Sequence, residues 1–327
     1  MFGIELTPEH PLDRIVDLAT RAERAGFDVA FASSHYFNRD PFATLTRIAD
    51  ATEQLRLGPA AANPYDTHPV ALASRMATLQ EISNGRALFG IGPGDSSALS
   101  ALGYDRDRPL RRVLESFEVA RDLWAGECVS IDSTFEAADV GLEYELEETI
   151  PVYVAGQGPH MIRMSAKRAD GLLLNASHPD DVDWAADRVA EGLDERSEDA
   201  GEFDFGVYAS VSIAEDDQVA RNAARPPVAF ITADAAPPLL ERHGIDEDRA
   251  RDIGEALERG DFDTAFETVT PAMIDAFAVA GSPEVVVDRL ETILSTADSI
   301  VLGTPLGPDL ETAVELAGEV LGRIDTA

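Results

Sequence analysis

The chain predicts an α/β fold, a (β/α)8 TIM barrel with a mostly helical insertion between its seventh and eighth strands. Three observations predict it. Short apolar runs alternate with segments of helical periodicity from one end of the 327 residues to the other, eight such runs are each followed by a helical segment, and one long helical stretch interrupts the series. Repeated β-α units imply parallel strands and right-handed crossovers, and eight of them suffice to close a barrel. An open, doubly wound sheet is the alternative, and it does not need eight units.

The elements follow in order. Phe2–Leu6 reads as a strand, with a helix over Pro11–Ala25 that Gly26 stops. Phe27–Ser33 is a strand, then a helix covers Pro41–Glu53. Leu55–Ala62 precedes a helix from Pro69 to about Ser83, and Ala87–Gly92 precedes a helix over Pro109–Ala125. The acidic, non-periodic stretch Glu127–Ile150 has room for a small hairpin. Pro151–Ala155 and Gly171–Ala176 are strands, followed by helices over Pro159–Ala169 and Pro179–Asp199. Phe203–Ile213 is the seventh strand, Ser299–Gly303 the eighth, and Glu311–Ile324 the closing helix. The whole chain, 1–327, reads as one barrel domain whose insertion covers about 216–294.

Composition narrows the function. The net charge is −35, from 61 Asp plus Glu against 26 Lys plus Arg, and only Lys167 among the basic residues is lysine. Excess carboxylate with lysine nearly absent predicts adaptation to molar salt, where the Debye length is about 3 Å and self-repulsion is screened. The same charge opposes nucleic acid as a partner, because phosphate neutralisation needs clustered basic residues. No apolar run approaches the ~20 residues of a membrane helix, and the start Met1-Phe2-Gly3-Ile4-Glu5 lacks a basic leader, so a cytoplasmic protein is expected. The lone Cys128 excludes an intramolecular disulfide, and no histidine pair has metal-ligand spacing, so no metal is expected. No G-x-S-x-G elbow occurs.

In a barrel of this kind the chemistry sits at the C-terminal ends of the strands. Those ends carry Glu5, Ser33-Ser34-His35-Tyr36, Ala62-Asn63-Pro64-Tyr65, Gly92-Pro93-Gly94-Asp95, Gly156-Gln157-Gly158-Pro159, Asn175-Ala176-Ser177 and Gly303–Gly307. Gly156–Pro159 leaves a strand and opens a helix, which suits a phosphate; the other glycine runs also fit plain turns. Glu5 sits in an apolar run and has two readings. Burial would raise its pKa and make it an acid near neutrality, or it is a rim carboxylate paired with an arginine.

The chain resembles the coenzyme F420-dependent 5,10-methylenetetrahydromethanopterin reductases of the bacterial-luciferase-like superfamily, in a halophilic archaeal form. The likeness rests on Phe2-Gly3-Ile4-Glu5-Leu6, Asn63-Pro64-Tyr65, His68-Pro69, Gly92-Pro93-Gly94-Asp95, Gln157-Gly158-Pro159, Ala169-Asp170-Gly171, Asn175-Ala176-Ser177, Glu241–Asp246, Gly260-Asp261-Phe262 and Ala278–Pro283. It implies hydride transfer from reduced F420 to the methylene carbon of a 5,10-methylene-tetrahydropterin, methanopterin or folate, giving the 5-methyl form. It places the cofactor on Ala60, Ala61, Asn63, Gln157, Gly158 and Asn175, with a non-proline cis peptide at Ala60-Ala61. It places the substrate at His35 and Tyr65, and makes Glu5 and Asp95 the catalytic carboxylates. A homodimer or homotetramer is expected. Ser34 before His-Tyr, Ala60 beside the cis bond, and a shortened Leu102–Leu110 stretch depart from the pattern. With the salt-adapted composition, the shortened stretch leads to the expectation of a tetrahydrofolate carrier. The alternatives are another luciferase-like oxidoreductase or monooxygenase using FMN or F420, and a non-catalytic barrel serving as a partner subunit.

Overall fold

The computed structural model describes residues 1–324. Its first half runs β1 (Phe2–Leu6), α1 (Leu12–Arg24), β2 (Val29–Ser33), α2 (Pro41–Ala49), β3 (Arg56–Ala60), α3 (Pro69–Ile82), β4 (Phe89–Ile91), α4 (Ser96–Ala101) and α5 (Pro109–Trp124). A hairpin of β5 (Val129–Asp132) and β6 (Glu136–Val140) follows, then β7 (Val152–Gly156), α6 (Pro159–Arg168), β8 (Gly171–Asn175), α7 (Pro179–Leu193) and β9 (Asp204–Ile213). Helices α8 (Asp217–Asp234), α9 (Pro237–Arg242), α10 (Glu247–Glu258), α11 (Phe262–Thr268) and α12 (Pro271–Phe277) precede β10 (Val279–Gly281). The chain closes with α13 (Pro283–Leu294), β11 (Ser299–Leu306) and α14 (Leu310–Ile324).

Eight strands run in parallel in the order β3-β2-β1-β11-β9-β8-β7-β4, with the short β10 added beside β9. The ends of that series meet: Ala62 N donates to Gly90 O at 2.9 Å, and Gly92 N to Ala62 O at 2.8 Å. This contact closes the barrel and excludes the open sheet. The approach needs glycine, because a Cβ on Gly58 would lie 2.2 Å from Leu88 O and one on Gly90 2.1 Å from Pro59 O.

Strand alternation then sorts the side chains. Ile4 and Leu6 pack outward against the helices, while Val29, Phe31, Leu88, Tyr153, Leu173 and Val301 fill the barrel interior. Helices α8–α12 carry a separate apolar cluster around Val228, Ile253 and Phe277. Helix α13 is different: its Val286, Leu290 and Ile293 belong to the main core. Among the described residues, no helix is long and apolar enough to cross a membrane.

Candidate active site at the barrel mouth

Glu5 is the buried carboxylate of the mouth. It lies on β1 opposite Phe31 of β2 and is 1% exposed. Thr7 Oγ1 donates to its Oε1 at 3.0 Å, Tyr208 OH to its Oε2 at 3.1 Å, and the Thr304 backbone N–H to Oε2 at 3.3 Å. A Cβ on Gly303 would meet the Tyr208 ring at 2.5 Å, so a glycine there leaves that phenol room to reach Glu5. Burial pushes the Glu5 carboxyl up to about 7, against the lowering pull of those hydrogen bonds and with a small push from Glu9. No arginine or lysine pairs with it among the described residues. Burial with neutral donors, not an arginine pair, is the environment built here.

At the end of β3 the peptide Ala60-Ala61 is cis. Asn63 follows, buried, with Oδ1 accepting from Tyr36 OH at 2.9 Å and from the Tyr65 backbone N–H at 3.2 Å. Both of these bonds are made by the amide oxygen. The Ser34 Oγ nearby is buried without a partner. Ser34, His35, Tyr36 and Asn63 share a cavity of about 270 Å³. His35 is exposed, edge-on to Phe37 with ring centres 5.1 Å apart. Tyr65 has a more structural setting: its OH donates to Asp107 O at 2.8 Å, and the Arg112 guanidinium lies 4.8 Å from its ring centre.

Asp95 has a different place from Glu5. Gly94, at φ +70°, turns the chain so that Asp95 caps α4. Its Oδ1 accepts from Ser97 Oγ at 2.6 Å and from Ala98 N at 2.7 Å. It is exposed, and no hydrogen bond joins it to Glu5. Its negative charge is felt by Asp234, whose carboxyl burial and Asp95 push upward. Asp234 was not among the residues singled out from the sequence.

Across the mouth, α6 starts at Gly158 with Pro159 in its first turn and no side-chain cap. Its first N–H groups therefore remain available, and nothing lies within 4 Å of where a Gly158 Cβ would be. Gln157 Nε2 donates to Asn175 O at 3.2 Å, which brings the β7 and β8 ends together. Gln157, Gly158, Asn175 and Ser177 face Ile231 and Phe277 across a cavity of about 420 Å³. The floor of that cavity is latched by residues the sequence reading left without a partner. Asp181 accepts from Arg242 and lies 2.8 Å from His243 Nε2, while Arg242 stacks 4.7 Å above Trp184. Arg242 and His243 stood in a singled-out segment, but nothing local pointed to Asp181, about sixty residues away.

Among the described residues, no group of three or more His, Cys, Asp or Glu is arranged to hold a metal ion.

The profile of the luciferase-like monooxygenase family matches residues 2–298. The chain is 37% identical over 326 residues to the 5,10-methylenetetrahydromethanopterin reductase of Archaeoglobus fulgidus, covering 97% of both. It is 38% identical over 336 residues to the enzyme of that name from Methanopyrus kandleri, covering 97% of this chain and 96% of the other. The solved coenzyme F420-dependent tetrahydromethanopterin reductase from Methanopyrus kandleri superimposes with a TM-score of 0.92, covering 99% of each chain at 37% identity.

Proposed function

Since the chain belongs to the luciferase-like monooxygenase family, and within it to the 5,10-methylenetetrahydromethanopterin reductases, we propose the following roles for its residues in that reaction. The protein is an F420-dependent oxidoreductase that reduces the methylene carbon of a 5,10-methylene-tetrahydropterin to a 5-methyl group. The observation that carries the residue reading is Glu5, a carboxyl 1% exposed at the barrel mouth, held by three neutral donors and, among the described residues, paired with no arginine or lysine, so that burial pushes it up to about 7.

The residues fit a cofactor of this kind. An orphaned buried hydroxyl at Ser34, the Asn63 amide and an uncapped helix start at Gly158 are polar groups that a ligand in the mouth can meet. When bound, F420 supplies the hydride. Asn63, Gln157, Gly158 and Asn175 would hold it, with the Ala60-Ala61 peptide behind the ring and the α6 N-terminus at the phosphate. With its carboxyl pushed up to about 7, Glu5 still carries a proton in a large fraction of molecules near neutral pH, and it gives that proton to the pterin nitrogen that leaves the methylene bridge. Tyr208 and the Thr304 N–H then hold the carboxylate that results. Asp95, tied up as a cap, is assigned a charge at the rim. His35 and Tyr65 are assigned to the substrate side.

Two expected results test these assignments. Gly158→Glu adds bulk and a like charge where an L-residue fits (φ −78°, open space), so the fold persists. F420 affinity is expected to fall about 100-fold or more, about 2.8 kcal/mol on the ~1.4 kcal/mol-per-decade scale, whereas Gly158→Ala stays near the parent. Fluorescence titration reads both, and near-parent binding by Gly158→Glu would move the phosphate elsewhere. The second concerns the carrier, for which we favour tetrahydrofolate. The shortened stretch 102–110 borders the mouth, with Arg106 Nε donating to Pro93 O at 3.1 Å and Asp107 O receiving Tyr65. Steady-state oxidation of reduced F420 with each methylene carrier is the measurement, and a clear preference for the methanopterin rejects the folate. We also read the protein as cytoplasmic and as a homodimer or homotetramer, the latter from family likeness alone; light scattering reads the assembly.

A further inference from the structure

We propose that Glu5 regains its proton from the flank of the barrel, through the Thr7 hydroxyl and the cavity behind it, and not through the mouth that takes substrate. The inference rests on the reading of Glu5 as the proton donor. A donor that is 1% exposed has little direct exchange with bulk solvent, so each turnover needs a path back, and the flank cavity that Glu5 borders together with Thr7 offers one. Among the described residues, two hydroxyls touch the carboxyl. Tyr208 points at it from the barrel interior, and Thr7 Oγ1 sits 3.0 Å from Oε1 and 3.3 Å from Oε2.

Thr7 faces a third cavity, of about 250 Å³, between the end of β1, helix α1 and the turn after β11. Glu5, Thr7, Glu9, His10, Arg14 and Thr304 supply its polar lining, the Arg14 guanidinium being held by Glu311, and Ile15, Leu18 and Leu306 form apolar wall. It shares no lining residue with the two cavities assigned to the ligands. At about 30 Å³ per molecule, its volume accommodates several waters. At its outer end His10 Nε2 lies 3.5 Å from Glu9 Oε1, with the imidazole partly exposed. An imidazole offers both a donor and an acceptor nitrogen, which suits a group that passes protons inward.

The step balances without a further reactant. The Glu5 O–H bond breaks as its proton goes to the departing pterin nitrogen, and the carboxylate then takes the Thr7 hydroxyl proton. The Thr7 oxygen takes a proton from cavity water, which His10 and bulk solvent make good. No electrons move in this sequence.

Thr7→Val keeps the side-chain shape and removes the relay. With the complete system of enzyme, F420 and methylene carrier, mixed at pH ~6, its first turnover is expected within about twofold of the parent, because Glu5 starts mostly protonated there. Its steady-state rate is expected to fall about tenfold or more, towards the lower end of what a lost proton transfer costs. Thr7→Ser should restore the rate. Added imidazole should raise the Thr7→Val rate with concentration while leaving the parent unchanged, a response that mere loss of packing would not produce. His10→Ala, at the cavity's outer end, provides a second variant with the same imidazole signature. A Thr7→Val steady-state rate equal to the parent's, or a slow rate deaf to imidazole, would overturn the proposal. So would Tyr208→Phe showing the normal first turnover and imidazole rescue in place of Thr7→Val. A Glu5→Gln variant with normal turnover fails differently, by removing the proton donor itself.

Discussion

Glu5→Gln is expected to lower turnover by about 10²–10⁴-fold while F420 affinity stays near that of the parent. Glutamine keeps an acceptor for Tyr208 OH and the Thr304 N–H, so the mouth keeps its shape and loses only the proton. The parent's pH profile follows from the same burial. With the carboxyl at about 7, the proton is present below neutrality and lost above it, so kcat should decline through that region, and the variant should lack this limb. Stability falls in the same direction, over a lower window. Between the ordinary value of 4.5 and about 7 the folded chain holds a proton that the unfolded chain has released, so stability falls as pH rises across that window. Above it the fold carries a buried carboxylate at a cost of about 3 kcal/mol, from ~1.4 kcal/mol per pKa unit. Glu5→Gln should therefore be the more stable protein at pH ~8 and no more stable at pH ~4, by denaturant unfolding at both. A near-normal rate would take Glu5 out of the mechanism and leave Asp95 as the next carboxylate to test.

Removal of salt is the second large effect. A net charge of −35 with one lysine leaves most acidic side chains without a cation of their own. The exposed run Glu143, Glu145, Glu147 and Glu148 is a local example. Dilution from molar salt to ~0.1 M lengthens the Debye length from about 3 to about 10 Å, so these charges begin to repel one another. Folding and activity are expected to need near-molar salt, with Tm falling by about 10 °C or more on dialysis into dilute buffer, the equivalent of several kcal/mol at this size. Full activity and an unchanged Tm in dilute buffer would show that the composition has another cause. Such an effect should be shared by Glu5→Gln, since it arises far from the mouth.

Much of this architecture was legible in the sequence because the signals were local. Each barrel strand is an apolar run, and most are followed by a helix with proline at its start, as at Pro41, Pro69, Pro109, Pro159 and Pro179. The acidic stretch had room for the hairpin that forms there, whereas the apolar run around Glu5 left open whether its carboxyl is buried or paired with an arginine at the rim. The cis bond at Ala60-Ala61 was legible only through family likeness, since nothing in two alanines announces it. Helix α4 was missed because six residues reading Ser-Ser-Ala-Leu-Ser-Ala hold too little periodicity. Strand β10 has three residues inside a longer apolar run. The last strand was expected to end at Gly303, yet it continues through Pro305 to Leu306, where a proline ordinarily argues for a stop. The partners of the site were the least legible. Tyr208 reaches Glu5 across about two hundred residues, and Asp181 meets His243 across about sixty, distances at which spacing carries no information.

The junction between β3 and β4 sets the mechanics of the molecule. Other neighbouring strands of the barrel share runs of paired residues, whereas this pair is joined by single bridges at Leu57–Ala87 and Ala62–Ile91. A tube closed along one lightly stitched line splits there first. Its two lips carry Asn63 and Gly92, so a molecule resting on both acts as a staple across the split. In the empty protein the amide protons of Ala62 and Gly92 should exchange with solvent sooner than those within β1 and β2, and a bound ligand should slow them more than any others in the barrel wall.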